Sequence, residues 1–431
     1  MKKVIATLLS ISMLIALPCG CTKKSGKTKR SSKPTKRSEE PGNASNSAIF
    51  KIDPAEAAKY SEEELKKMYS QFVFGVMAIC AKNANGRNVM ISPDSILFAL
   101  EMAAAGASGD TLDQMLQTLL PGADNPTAFQ FAVERMNNLQ GESLSIANSA
   151  WINENLADSV YEDYLEYVQK HFDAEIRTLP FNKAAVKTIN DWVEDKTNGK
   201  IHDLISEVNN DDLMVLINAI AFNGQWKLGY AEEDILDHVF TTTNGDEQEA
   251  TFLYSREGTY LYSESATGFL KPYADEQYGF VVILPDDPTI DINEYIANLS
   301  PEEYWEFWNN RTANKEVYAM MPEFRSEYSV TLNDILCNMG MDLPFSINKS
   351  DFSNLCKERV YISQAVHKTY IDVNRNGTEA AAATALTMTC GASIGEEQHT
   401  FYVTCDRPYA YAIVDLQTGL PVFLGTVESV K

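Results

Sequence analysis

Near the C-terminus, Gly391-Ala392-Ser393-Ile394-Gly395 matches the pattern G-x-S-x-G. In an α/β-hydrolase that pattern holds a nucleophilic serine on a sharp turn between a buried strand and a helix. The chemistry would be acyl transfer through Ser393, with a histidine as base and an acid to orient it. The neighbourhood argues against this. The preceding EAAAATALTMTC is too rich in alanine for an ordinary buried strand, and the following IGEEQHTFYV leaves no room for a helix. The triad order also needs a histidine well downstream, and only His399 follows, six residues on. A lipid-anchored esterase using Ser393 stays a remote alternative, and no catalytic residue is expected.

The remaining reactive side chains are dispersed. Cys19 and Cys21 lie in the N-terminal region, and Cys80, Cys337, Cys356, Cys390 and Cys405 are scattered. After the first 21 residues no C-x-x-C pair occurs, and the five histidines form no H-E-x-x-H. Neither a metal site, a cofactor site nor a disulfide framework is expected. What stands out is a run of another kind. Sixteen residues, Ala380 to Gly395, carry no charge in a chain with 60 Asp and Glu. Laid out as a strand, the run puts Thr378, Ala380, Ala382, Thr384, Leu386 and Met388 on one buriable face. Its first half is small enough to slide between two other strands. An alanine-rich helix is the competing reading.

Charge and polarity set the surroundings of this run. Lys2, Lys3 and the apolar Val4 to Leu17 read as a secretory leader, too short for a stable membrane span. Gly20 before Cys21 resembles a bacterial lipoprotein cleavage box, so residues 1–21 are expected to end in lipidation at Cys21. Pro18 stands where an aliphatic residue is usual, and an ordinary signal peptide is the alternative. Residues 22–50 are polar and aperiodic and read as a disordered, Lys/Ser-rich tether. Residues 1–40 hold 10 Lys/Arg and 2 Asp/Glu, which leaves 26 basic against 58 acidic residues, a net of −32, for the rest. So acidic a body excludes nucleic acid and heparin-like polyanions as partners.

Residues 51–431 read as one domain. Residues 61–82 show apolar side chains at helical spacing behind a Ser61 cap. Residues 92–120 predict two helices parted at Gly106 and Ser108-Gly109, the second capped by Asp110 or Thr111. Ile189 onward predicts another, ending before Asn198-Gly199. Residues 212–226 and 278–287 are branched apolar runs expected as strands buried on both faces. EVYAMMPEF is a further strand, and residues 400–427 read as three more, with a turn at Thr418-Gly419. Helices first and strands later predict an α+β fold with large, mainly antiparallel sheets.

Several segments resemble one family in order. Asn376 to Ala385, NGTEAAAATA, resembles the hinge of an inhibitory serpin, with Gly377, Thr378, Glu379, Ala380, Ala381, Ala382, Ala383 and Thr384 as hinge residues. Residues 88–116 resemble the region that places Ser92 and Ser95 at the sheet-opening shutter. LINAIAFNGQW resembles the strand that brings a shutter asparagine, Asn218, and a breach tryptophan, Trp226. QAVHKTYIDVN resembles the strand of the shutter histidine, His367, and CDRPYAYAI with GLPVFLGTV the C-terminal signature.

The resemblance implies a serpin fold over residues 51–431, with about nine helices and an exposed reactive-centre loop at about 375–405. It implies suicide inhibition of serine proteases, with cysteine proteases as a further target class, by a monomer. Scissile-bond candidates are Gly391–Ala392, Cys390–Gly391 and Glu397–Gln398. The first two favour elastase-like or subtilisin-like targets, the third a Glu-specific one. A non-inhibitory serpin-fold binding protein is the main alternative. Arg375 stands where the family's hinge commonly has Glu, so the usual salt bridge at the top of the loop strand is not expected.

Overall fold

The computed structural model describes residues 11–18, 59–139, 141–378 and 400–431. Cys21, the tether, residues 379–384, and the candidates Cys390, Gly391, Ala392, Ser393, Glu397 and Gln398 lie outside the described residues.

Among the described residues nine helices form: α1 (Glu62–Lys82), α2 (Pro93–Ala104), α3 (Gly109–Leu119), α4 (Asn125–Leu139), α5 (Glu162–Phe172), α6 (Lys183–Lys196), α7 (Ile292–Asn298), α8 (Pro301–Asn309) and α9 (Asn333–Asn338). Helix α1 starts as its sequence requires. The Glu64 backbone N–H donates to Ser61 Oγ, and the Ser61 N–H donates back to Glu64 Oε2 at 2.8 Å. Tyr69, Phe72, Val73, Val76, Met77 and Cys80 then form its buried stripe. Helix α3 departs from expectation. Its cap position is Ser108, because the buried Thr111 hydroxyl is used elsewhere, accepting the Asp351 N–H at 3.0 Å. Helix α6 begins at Lys183, earlier than predicted, because Asn182 caps it through the Ala184 and Ala185 amides.

The strands in chain order are β1 (Ile11–Pro18), β2 (Met90–Ile91), β3 (Leu144–Asn153), β4 (Ala174–Leu179), β5 (Asp212–Phe222) and β6 (Gly224–Gln225). They continue as β7 (Ile235–Thr241), β8 (Glu247–Tyr262), β9 (Ala266–Pro272), β10 (Tyr278–Pro285), β11 (Thr312–Pro322) and β12 (Phe324–Thr331). The last are β13 (Gln364–Asn374), β14 (Gly377–Thr378), β15 (Thr400–Thr404), β16 (Tyr409–Asp415) and β17 (Pro421–Val427).

One sheet runs β4-β3-β5-β1-β13, with β12 on the far side of β13 and the short β14 and β6 completing the end above β1 and β5. A second runs β15-β11-β8-β9-β10-β16-β17-β2, with β7 beside β8. Only β3 with β4 and β11 with β15 pair in parallel among the described strands. All eleven residues of β5 and all eight of β10 are buried, which is why both read as nearly continuous apolar runs, interrupted in β5 by Asn218 after an initial Asp212.

The apolar segment that the sequence suggested as a leader supplies β1. It lies antiparallel to both β5 and β13, in the middle of the first sheet. Helix α2, buried along its whole length, packs against β5 and β1.

Candidate functional site

The site is the slot between β5 and β13, with the residues that line its middle and close its upper end. Ser92 ends the extended chain before α2, and Pro93 is preset for the first helical turn. That geometry leaves the Ser92 N–H free to leave the helix, and it donates to His367 Nε2 at 3.0 Å. His367 on β13 is fully buried, and burial pushes its imidazole down to about 3. The ring is therefore neutral at ordinary pH. Because Nε2 accepts, Nδ1 carries the proton, and it has no partner among the described residues.

Asn218 on β5 sits on the same rung. Met13 of β1 faces Asn218 on one side and His367 on the other. The two polar side chains are thus one strand apart, about 10 Å at ordinary strand spacing. Asn218 turns away and donates from Nδ2 to Asn148 Oδ1 at 2.8 Å, and Asn148 donates to the Phe172 carbonyl at 2.6 Å. Its own Oδ1 has no partner among the described residues. The structure therefore joins Ser92 to His367 but keeps Asn218 apart from both. Ser95 stays in the first turn of α2, where its N–H donates to Ser92 Oγ at 3.4 Å.

At the upper end, Trp226 is buried beneath the return of the chain. Its Nε1–H donates to the Asn374 carbonyl at 2.9 Å, and its backbone N–H to the Asn376 carbonyl at 3.1 Å. The indole stacks on Tyr273 at 4.8 Å between centroids. Lys271, paired with buried Glu257 at 2.8 Å, lies 5.5 Å from the Trp226 ring. Tyr273 OH and Thr378 Oγ1 are hydrogen-bonded at 2.6 Å, and Thr378 is buried.

Gly377 and Thr378 form β14. Gly377 faces Gln225 and Asn374, and Thr378 faces Gly224 and Val373. A Cβ at Gly377 would lie 2.1 Å from the Gly224 carbonyl oxygen, so only glycine lets the strand approach this closely. The first two hinge residues therefore already sit between β6 and β13. Arg375 has a partner that the sequence did not announce: its Nε donates to Glu323 Oε1 at 3.1 Å, and its N–H donates to the same oxygen at 2.9 Å. An ion pair does hold the top of this strand, with its acid at the β11–β12 corner.

Sequence reasoning also missed Asn148, Tyr273 and the buried Arg135. Arg135 grips Asp94 through two hydrogen bonds, of 2.9 and 3.0 Å, and Asp415 through a third at 2.8 Å. It ties α4 and the first turn of α2 to the end of β16. None of these residues stands in a local motif; each is defined by a partner far along the chain.

Comparison with known proteins follows the geometry. A family model described as serpin (serine protease inhibitor) matches residues 67–430. An uncharacterized serpin-like protein of Thermococcus kodakarensis is 32% identical over 379 residues, covering 86% of this chain and 87% of that protein. Human leukocyte elastase inhibitor is 30% identical over 386 residues, covering 85% of this chain and 100% of that protein. A crystal structure of the thermophilic serpin tengpin in its native state aligns with a TM-score of 0.74 at 34% identity, covering 84% of this chain and 94% of the other.

Proposed function

Because the chain belongs to the serpin family, we propose that it inhibits serine proteases, offering residues about 375–405 as bait and inserting the cut strand into the sheet that holds β5 and β13. The target's serine attacks one loop peptide bond. The amine side leaves, and the serine remains as an ester on the residue before the cut. Water would free the target by hydrolysing that ester. Insertion comes first, pulls on the ester and disturbs the target's oxyanion donors, so hydrolysis stalls. Strand insertion of this kind gains main-chain pairing for an added strand and releases stored strain.

The observation that supports this reading is β14. Gly377 and Thr378 are paired at the head of the slot, and Ala380 to Thr384 continue the chain with side chains small enough to follow. The buried Thr378 hydroxyl and the glycine that no other residue replaces favour an inserting hinge over a merely exposed loop. The leukocyte elastase inhibitor among the relatives points to a target with a small apolar pocket, in keeping with Gly391–Ala392 as the bond cut. We further propose that the protein is exported and held at a membrane through lipid on Cys21, with residues 22–50 as tether. Palmitate labelling that survives Cys21→Ser would sink the anchor.

The exported protein is to be incubated with elastase-like, subtilisin-like and Glu-specific serine proteases. The readouts are SDS gels and the mass of the released C-terminal fragment. The expected result is an SDS-stable complex and a fragment beginning at Ala392. Ala382→Glu and Thr378→Arg are each expected to turn the inhibitor into a substrate, because a charge must enter the sheet. Loop cleavage by every protease with no complex, or full-stoichiometry complex formation by both variants, overturns the reading.

A further inference from the structure

Two segments of this chain, far apart in sequence, address the same slot in the same direction and register. Strand β14 enters from above, antiparallel to β13, with Thr378 opposite Val373. Lower down, β1 also runs antiparallel to β13, with Met13 opposite His367. His367 is six residues before Val373, so a strand continuing from Thr378 reaches that rung at Thr384. The other wall gives an independent count. Thr378 faces Gly224 and Met13 faces Asn218, again six residues apart. Both walls therefore equate Met13 with Thr384. By the same offset Ile11, Ile15 and Leu17 hold the rungs of Ala382, Leu386 and Met388, and Ser12, Leu14 and Ala16 those of Ala383, Ala385 and Thr387.

We propose that Ile11–Pro18 is a stand-in for the reactive-loop strand, and that while it remains attached the loop can be cut but cannot insert below Ala381. The pairing supports a specific occupant. Strand β1 is matched to β5 along its whole length and to β13 from Ser12 to Ala16, so it satisfies the inner edges of both walls. Its Ile15 and Leu17 fall on the rungs of the apolar Leu386 and Met388. The unpartnered Nδ1–H of His367 and Oδ1 of Asn218 mark the rung that Met13 holds open. Hydrolysis of the Gly20–Cys21 peptide bond by a leader peptidase, with water supplying the new carboxyl oxygen and amine proton, detaches the segment. An unexported chain is then silent, and export and activation are one event.

This regulation rests on the inhibitor reading, but its test does not. The full chain is produced without export, with residue 1 verified by intact mass, beside an Ile15→Asp/Leu17→Asp variant. Hydrogen exchange is followed at residues 11–18. Uptake of a synthetic peptide of residues 378–389 is followed by native mass spectrometry. In the unaltered chain we expect slow exchange at 11–18 and no peptide uptake; in the variant, fast exchange there and stoichiometric uptake. Exchange of residues 11–18 at the rate of an unstructured peptide in the unaltered chain overturns the proposal, even if the variant does not fold. So does equal peptide uptake by the two proteins. Failure of the inhibitor reading has a different signature: an exported protein that traps no protease, with these exchange and uptake results unchanged.

Discussion

His367 shows how one buried ring couples the slot to acidity. Its folded value of about 3 lies below the ordinary 6.5, so between the two the unfolded chain binds a proton that the folded chain refuses. The stability this contributes is complete above about 6.5 and drains away as pH falls towards 3, by at most about 1.4 kcal/mol per pH unit. We expect His367→Phe to flatten that stretch of the stability profile. The same change should cost about 1–3 kcal/mol at pH 7, because the Ser92 N–H loses its acceptor. Urea midpoints at pH 7, 5 and 4 for both proteins check both statements. Glu101 on α2 has the opposite sign. It is fully buried, neither carboxyl oxygen has a partner among the described residues, and burial pushes the group from 4.5 to about 8. Here the folded chain holds the extra proton, so this contribution is complete below about 4.5 and is lost as pH rises towards 8. Glu101→Gln removes the penalty without changing shape. Its expected gain is about 1–3 kcal/mol at pH 7.5, closing to nothing near pH 4.5. A variant no more stable than the parent at pH 7.5 contradicts this account.

Among the elements, β14 is one of three two-residue strands, with β2 and β6, and the most demanding of them. Gly377→Val places carbon against the Gly224 carbonyl, so the pairing of residues 377–378 with β6 and β13 should be lost. Hydrogen exchange at residues 224–225 and 373–378 should accelerate while β16 stays protected. Unchanged exchange at the hinge would show that β6 can yield instead. At this scale the sequence was uneven in what it disclosed. The Ser61–Glu64 box and the double-sided burial of β5 are local properties, and they were legible. The cap of α3 was not, because Thr111 is claimed by Asp351 from a distant loop. Strand β1 was not legible either. An eight-residue apolar run suits a leader core and a central strand equally, and the partners that make it a strand lie far along the chain.

For the whole molecule, the fold class and the places of Asn218, Trp226 and His367 followed from the resemblance. The bonds those residues make did not, because they depend on the spacing between β5 and β13. The same sheet also works as a ruler. Continuing the β14 register down β5 brings Cys390 level with Asp212, where that strand begins. A cut at Gly391–Ala392 would leave the acylated residue one step past the rail, about 40 Å below the hinge at ordinary strand rise. A cut at Glu397–Gln398 would leave some six more residues slack, and slack chain transmits no pull. On the proposed mechanism, the length of β5 thus selects which bond, once broken, would put tension on the enzyme that broke it.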